Sequence, residues 1–142
     1  MTTSGYTIFY ADDDLDDREF FKEIISEINP DYKVFIQKSG VELMNVLEKT
    51  LWLPQFIFLD LNMPFKTGYE VLKEIRHSER FKCVPVIILS TASNESAVLK
   101  AKELGATAFI VKPNKIGDLK TIINAILSSQ WDNNSPAFRR YG

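Results

Sequence analysis

The sequence holds one cysteine, Cys83, and one histidine, His77, among 142 residues. A lone cysteine excludes an internal disulfide and any cysteine-built metal cage. No stretch approaches the roughly 18 consecutive apolar residues of a membrane-spanning helix, and no basic-then-apolar signal pattern opens the chain. An excess of one charge is missing as well. The 17 Lys and Arg against 19 Asp and Glu leave a formal net charge of -2, which offers no electrostatic grip on nucleic acid or an anionic membrane. These absences predict a cytoplasmic protein that binds neither nucleic acid nor membrane. The length suits one domain with one core.

What the chain does contain is a set of short apolar runs closed by polar residues. Phe56-Ile57-Phe58-Leu59 has no polar alternate, the pattern of a strand buried on both faces of a parallel sheet, and Asp60 ends it. Pro64 cannot continue a ladder. Residues 6–11, 34–36, 85–89 and 108–111 read as four further strands. Between them the apolar spacing turns helical. Residues 15–28 carry Phe20, Phe21, Ile24, Ile25 and Ile28 on one face, and a second helix buries Leu43, Val46 and Leu47. Ser39 with Glu42, and Thr67 with Glu70, have the spacing of capping boxes, the second opening a helix buried through Val71, Leu72 and Ile75. Ser93 or Asn94 starts a fourth helix that Gly105 is placed to end, and residues 116–129 form the last. Five strands alternating with five helices predict a doubly wound α/β fold, a five-stranded parallel sheet with right-handed crossovers. Residues 6–130 form the domain, and 131–142 read as a polar C-terminal tail, with Arg139-Arg140-Tyr141 a disordered end.

The polar residues collect at one edge of this sheet. Asp12 and Asp13 follow the first strand, Asp60 the third, Ser90 and Thr91 the fourth, and Lys112 the fifth. Ligands of open α/β sheets bind at the carboxyl ends of the strands. Two carboxylates 4 Å apart repel by ~4 kcal/mol at an effective dielectric of 20, so such a cluster takes up protons or a cation. Mg2+ is satisfied by one or two carboxylates, waters and phosphate oxygens. With a lysine and a hydroxyl beside it, the set has what an incoming phosphoryl group needs, including a carboxylate nucleophile. Asp14, Asp16 and Asp17 fall at a helix start, where acidic side chains complement the helix dipole.

Four segments in order, each closing a strand, resemble the receiver domain of two-component response regulators in the single-domain form of the chemotaxis regulator. They are Tyr10-Ala11-Asp12-Asp13-Asp14, Leu59-Asp60-Leu61-Asn62-Met63-Pro64 with Gly68, Leu89-Ser90-Thr91-Ala92 and Val111-Lys112-Pro113. The resemblance implies a flavodoxin-like receiver fold of strand order 2-1-3-4-5. It implies Asp60 as phosphoacceptor, Asp13 as direct Mg2+ ligand, Asp12 as a ligand through water, and Asn62 as the donor of a backbone carbonyl. Ser90 and Lys112 then pair with the phosphoryl group, the Lys112–Pro113 bond is cis, and Phe109 is the aromatic switch residue that rotates inward.

The implied protein is a stand-alone response regulator, since no output domain follows the fifth helix. It accepts a phosphoryl group from a sensor histidine kinase or a histidine phosphotransfer protein. It then signals to a downstream protein target through the face of residues 94–129, as a monomer or a phosphorylation-dependent homodimer. It is not an enzyme beyond phosphorylating and dephosphorylating itself at Asp60. A relay intermediate or phosphate sink fits the same residues. A phosphoaspartyl hydrolase usually carries a second aspartate where this chain has Asn62, and a module that has lost phosphorylation sits poorly with Asp13, Asp60 and Lys112 all present. His77 reads as solvated, Cys83 as a partly buried filler, and Phe65 and Phe81 as cover for the core edge.

Overall fold

Short apolar runs become strands and amphipathic stretches become helices, in the order β1 (Thr7–Ala11), α1 (Leu15–Ile28), β2 (Lys33–Gln37), α2 (Gly40–Lys49), β3 (Phe56–Leu59), α3 (Gly68–His77), β4 (Val86–Ser90), α4 (Glu95–Glu103), β5 (Ala108–Val111), α5 (Ile116–Ser128) and β6 (Arg139–Tyr141). The structure is a computed structural model and describes residues 6–129, 131 and 138–142. Among these residues no helix is long and apolar enough to cross a membrane.

All strand pairs are parallel, in the order β2-β1-β3-β4-β5-β6. The five expected strands stand in the expected order, and a sixth extends the sheet beyond β5. Alternate residues of the central strands face opposite layers, and both layers are apolar. Ile57, Leu59, Ile88 and Phe109 pack with Leu43 and Leu47 of α2, Val71, Leu72 and Ile75 of α3, and Val98 and Ala101 of α4. Phe56, Phe58, Leu89 and Ile110 pack with Phe21, Ile24 and Ile25 of α1 and Ile123 and Ile126 of α5. This two-sided burial is why β3 and β4 carry no polar alternate.

The sixth strand corrects the expectation of five strands and a disordered end. Arg139, Arg140 and Tyr141 pair with Ala108, Phe109 and Ile110. Side-chain anchors hold this short polar segment. Arg140 Nη1 reaches Glu95 Oε1 at 2.6 Å and Nη2 donates to the Ser93 carbonyl at 3.2 Å, while the Arg139 guanidinium lies 4.7 Å from the centroid of the Trp131 ring. Residues 130 and 132–137 of the expected tail lie outside the described residues.

Local signals set the helix ends. Thr67 and Glu70 form both halves of a capping box. Ser39 caps α2 by accepting from the Glu42 amide, but the Glu42 carboxylate takes the Lys38 amide, so that box is half made. Gly105 ends α4 at φ +100°, a conformation that costs glycine little. Arg76 then ties three segments together, donating to the carbonyls of Gly105, Lys82 and Val84 and to Thr107 Oγ1.

Three local expectations are corrected. Cys83 is exposed, in a loop where Arg76 holds the carbonyls of its neighbours Lys82 and Val84. Phe81 is buried but Phe65 is 98% exposed: the Lys66 amide closes on the Pro64 carbonyl at 2.7 Å, holding Phe65 at φ +67° in a tight turn that points away from the core. The Lys112–Pro113 bond is trans, an isomer that differs from cis by only ~0.5–1 kcal/mol in X–Pro bonds and is therefore not fixed by the dipeptide.

Candidate functional site

The carboxyl ends of β1, β3 and β5 deliver Asp12, Asp13, Asp60 and Lys112 to one place. Asp12, Asp13 and Asp60 each present a carboxylate oxygen, all within 4.8 Å of one another. Lys112 Nζ stands 3.2 Å from Asp12 Oδ2 and 3.6 Å from Asp60 Oδ2. Asp12 is fully buried, Asp60 nearly so, and Asp13 is exposed, so the cluster opens to solvent on the Asp13 side.

Backbone contacts hold the acceptor loop. The Asp60 amide donates to the Ala11 carbonyl at 3.0 Å, continuing the β1–β3 ladder one residue past the strand. The Gly68 amide donates to the Leu61 carbonyl at 3.0 Å, pressing the start of α3 against this loop. Here glycine is required by space. A Cβ on residue 68 would lie 2.4 Å from the Asp60 carbonyl oxygen and 2.8 Å from Leu61 Cα.

The remaining expected residues are placed less directly. Asn62 is exposed beside the cluster, and its amide approaches Asp60 Oδ1 at 3.4 Å. Ser90 ends β4 fully buried, its Oγ accepting from the Ala92 amide at 3.2 Å, so its hydroxyl is engaged within its own loop. Phe109 is fully buried in the layer formed with α2, α3 and α4.

Two residues of the site escape a reading of the sequence. Tyr10 is fully buried, stacked on Phe21 with ring centroids 4.2 Å apart, and its hydroxyl donates to Asp12 Oδ2. Burial foremost, and then the Asp12 charge, raise the Tyr10 phenol far above its ordinary range, so it remains a donor. Asp17 is the second. Asp14 caps α1 and Asp16 is exposed, as helix-start acids should be, but Asp17 Oδ2 takes Lys112 Nζ at 2.7 Å. Asp17 does lie in the first turn of α1, as a helix-start acid should, and is in addition the carboxylate nearest to Lys112.

The electrostatics follow from this crowding. Burial pushes the Asp60 carboxyl up to about 7; Lys112 opposes the shift and the Asp12 charge adds to it. Burial by itself would lower the Lys112 ammonium, but the Asp17 hydrogen bond and the charges of Asp60 and Asp12 outweigh it and hold the pKa above its ordinary value. One ammonium therefore faces more carboxylate charge than it neutralises. The donors are hard oxygens with an open side, and a hard divalent cation fits them.

Comparison with known proteins agrees with this geometry. Residues 8–124 match the family model described as response regulator receiver domain. The response regulator Rcp1 of Synechocystis sp. is 30% identical over 126 residues, covering 85% of this chain and 86% of that protein. The crystal structure of the Mn(2+)-bound form of response regulator Rcp1 covers 87% of this chain and 92% of its own, at a TM-score of 0.77 and 30% identity. That of the phosphorylated cyanobacterial phytochrome response regulator RcpA covers 89% and 97%, at 0.82 and 29%.

Proposed function

The chain belongs to the response regulator receiver domain family, and from that premise we propose that it accepts a phosphoryl group on Asp60 from the phosphohistidine of a sensor kinase or phosphotransfer protein, with Mg2+ in the acidic pocket. The observation that carries this reading is the convergence of a nearly buried Asp60 with Asp12, Asp13 and Lys112 at the carboxyl end of β3. Response regulators receive phosphoryl groups from histidine kinases, and the related Rcp1 has been crystallised with Mn2+.

Asp12, Asp13 and Asp60, with the Asn62 carbonyl, are the groups that hold the cation. When bound, the divalent ion supplies positive charge to the phosphoryl oxygens. The remaining work belongs to the chain. An Asp60 oxygen attacks phosphorus, forming the P–O bond as the P–N bond breaks, and the nitrogen takes the bonding pair, so the donor leaves as neutral imidazole with the proton already on its other ring nitrogen. Lys112 moves onto one phosphoryl oxygen as a point charge, and the Ser90 hydroxyl turns from its loop to donate to another. Response takes the form of a rearrangement around Ser90 and Phe109 that alters the face of α4, β5 and α5. Since β6 lies along β5 and is tied by Arg140 to Ser93 and Glu95, a partner reading this face meets Arg139–Tyr141 as well.

The test is phosphorylation of the purified protein by acetyl phosphate. With Mg2+, one acid-stable, base-labile phosphoryl group is added, and none appears with EDTA or in Asp60→Asn. Labelling that survives Asp60→Asn refutes the assignment.

A further inference from the structure

Lys112 has three carboxylates within reach and does not hydrogen-bond the one that matters for phosphorylation. Its Nζ lies 2.7 Å from Asp17 and 3.2 Å from Asp12, but 3.6 Å from Asp60. The last distance is beyond an N–H···O bond. The Lys112 side chain is only 13% exposed, and its ammonium hydrogen-bonds Asp17 and Asp12.

The Asp12 carboxylate is itself fixed, and Asp17 is anchored through its backbone. Asp12 is fully buried: its Oδ2 is bound by the Tyr10 hydroxyl and its Oδ1 by the Asp14 amide at 3.0 Å, while its carbonyl takes Arg18 Nη1 at 2.9 Å. Asp17 sits in the first turn of α1, where its amide donates to the Asp14 side chain at 3.0 Å. The lysine, on a flexible four-carbon stem, is the part free to move.

We propose that Asp17 is a positioning residue: together with Asp12 it parks the Lys112 ammonium away from Asp60, and formation of the aspartyl phosphate requires the lysine to leave it. This rests on the reading of Asp60 as acceptor and adds a regulator of that site. Asp17 competes with the phosphoryl group for one cation. It keeps the pocket from holding that group as tightly as Asp60, Lys112 and a divalent ion would without it. Asp16, the neighbouring acid, is exposed and turned away, so charge alone does not confer the role.

The experiment titrates the full chain, saturated with Mg2+, with beryllofluoride, a mimic of the aspartyl phosphoryl group, following the backbone amides of Asp60 and Gly68 by NMR. Asp17→Asn removes the competing carboxylate and tightens beryllofluoride about three- to tenfold, the range of a partly exposed charge-assisted hydrogen bond. Asp17→Ser gives the same shift, and Asp16→Asn stays within twofold of the wild type. The direction is diagnostic, since a purely structural contribution of Asp17 would be revealed as weaker binding. Unchanged or weaker binding in both Asp17 variants overturns the proposal, as does an equal gain in Asp16→Asn. A wild-type protein that binds no beryllofluoride overturns the acceptor reading instead.

Discussion

Replacing the acceptor carboxylate should stabilise the metal-free protein, and the pH dependence of that gain can be worked from the site. The Asp60 carboxyl is pushed up to about 7, above its ordinary 3.8. A carboxyl whose folded pKa is raised keeps its proton through a window in which the unfolded chain has lost it. Stability is therefore lost as pH rises from about 4 to about 7, and above 7 the full cost is present. Each unit is worth ~1.4 kcal/mol, which sets an upper figure of roughly 4 kcal/mol. Lys112 opposes the shift, and the site opens to solvent on the Asp13 side, so we expect ~2 kcal/mol. Asp60→Asn keeps an oxygen for the Asn62 amide and deletes the charge. At pH 8 in EDTA it should melt about 5–10 °C above the wild type, taking ~3–5 °C per kcal/mol at this size. The gain should shrink steadily toward pH 5, where the wild-type carboxyl is protonated. Millimolar Mg2+ should close the gap at pH 8 from the other side, raising the wild type by ligand linkage and leaving the variant unmoved. Circular dichroism melts across pH 5–8 make the measurement. A variant no more stable than the wild type at pH 8, or a gain that is flat across that range, refutes the reasoning.

Other outcomes follow from neighbouring contacts. Asp13→Ala should abolish the Mg2+-dependent rise in melting temperature, because it removes the exposed carboxylate of the cluster; a retained rise would place the ion elsewhere. Gly68→Ala drives a methyl into the backbone of Asp60 and Leu61, so it should cost ~1–3 kcal/mol of stability and slow phosphorylation by acetyl phosphate, and a neutral variant would contradict the packing. Arg76→Ala withdraws the donor from three carbonyls and Thr107 Oγ1. Urea unfolding should show a loss of ~2–3 kcal/mol with the phosphorylation rate little changed.

How much of this was legible in the sequence depended on what held each element in place. Strands buried on both faces announce themselves, because nothing polar survives between two apolar layers, and the residues that close them fall at the ligand edge of the sheet. Helix α1 is found at residues 15–28, as its apolar spacing predicts. Where one side chain decides the structure, the pattern was silent. β6 is three residues held by Arg140 on Glu95 and by Arg139 on Trp131, and no apolar run marks it. Asp17 and Asp16 are the same residue type one position apart, and only the helix rotation separates the partner of Lys112 from a solvated acid. Tyr10 reads as one more apolar strand residue until its hydroxyl is seen to reach Asp12. Phe65 lies outward because a tight turn after Pro64 sets its backbone, a property of three residues that no periodicity contains.

The most direct measurement of the central claim is chemical trapping of the phosphorylated residue. After incubation with acetyl phosphate and Mg2+, borohydride reduces an aspartyl phosphate to homoserine, and tandem mass spectrometry of the digest reports its position. Homoserine at residue 60, formed only when phosphodonor and Mg2+ are both present, is the predicted result. Homoserine at another aspartate with residue 60 intact, or no homoserine despite incorporated phosphate, contradicts the account.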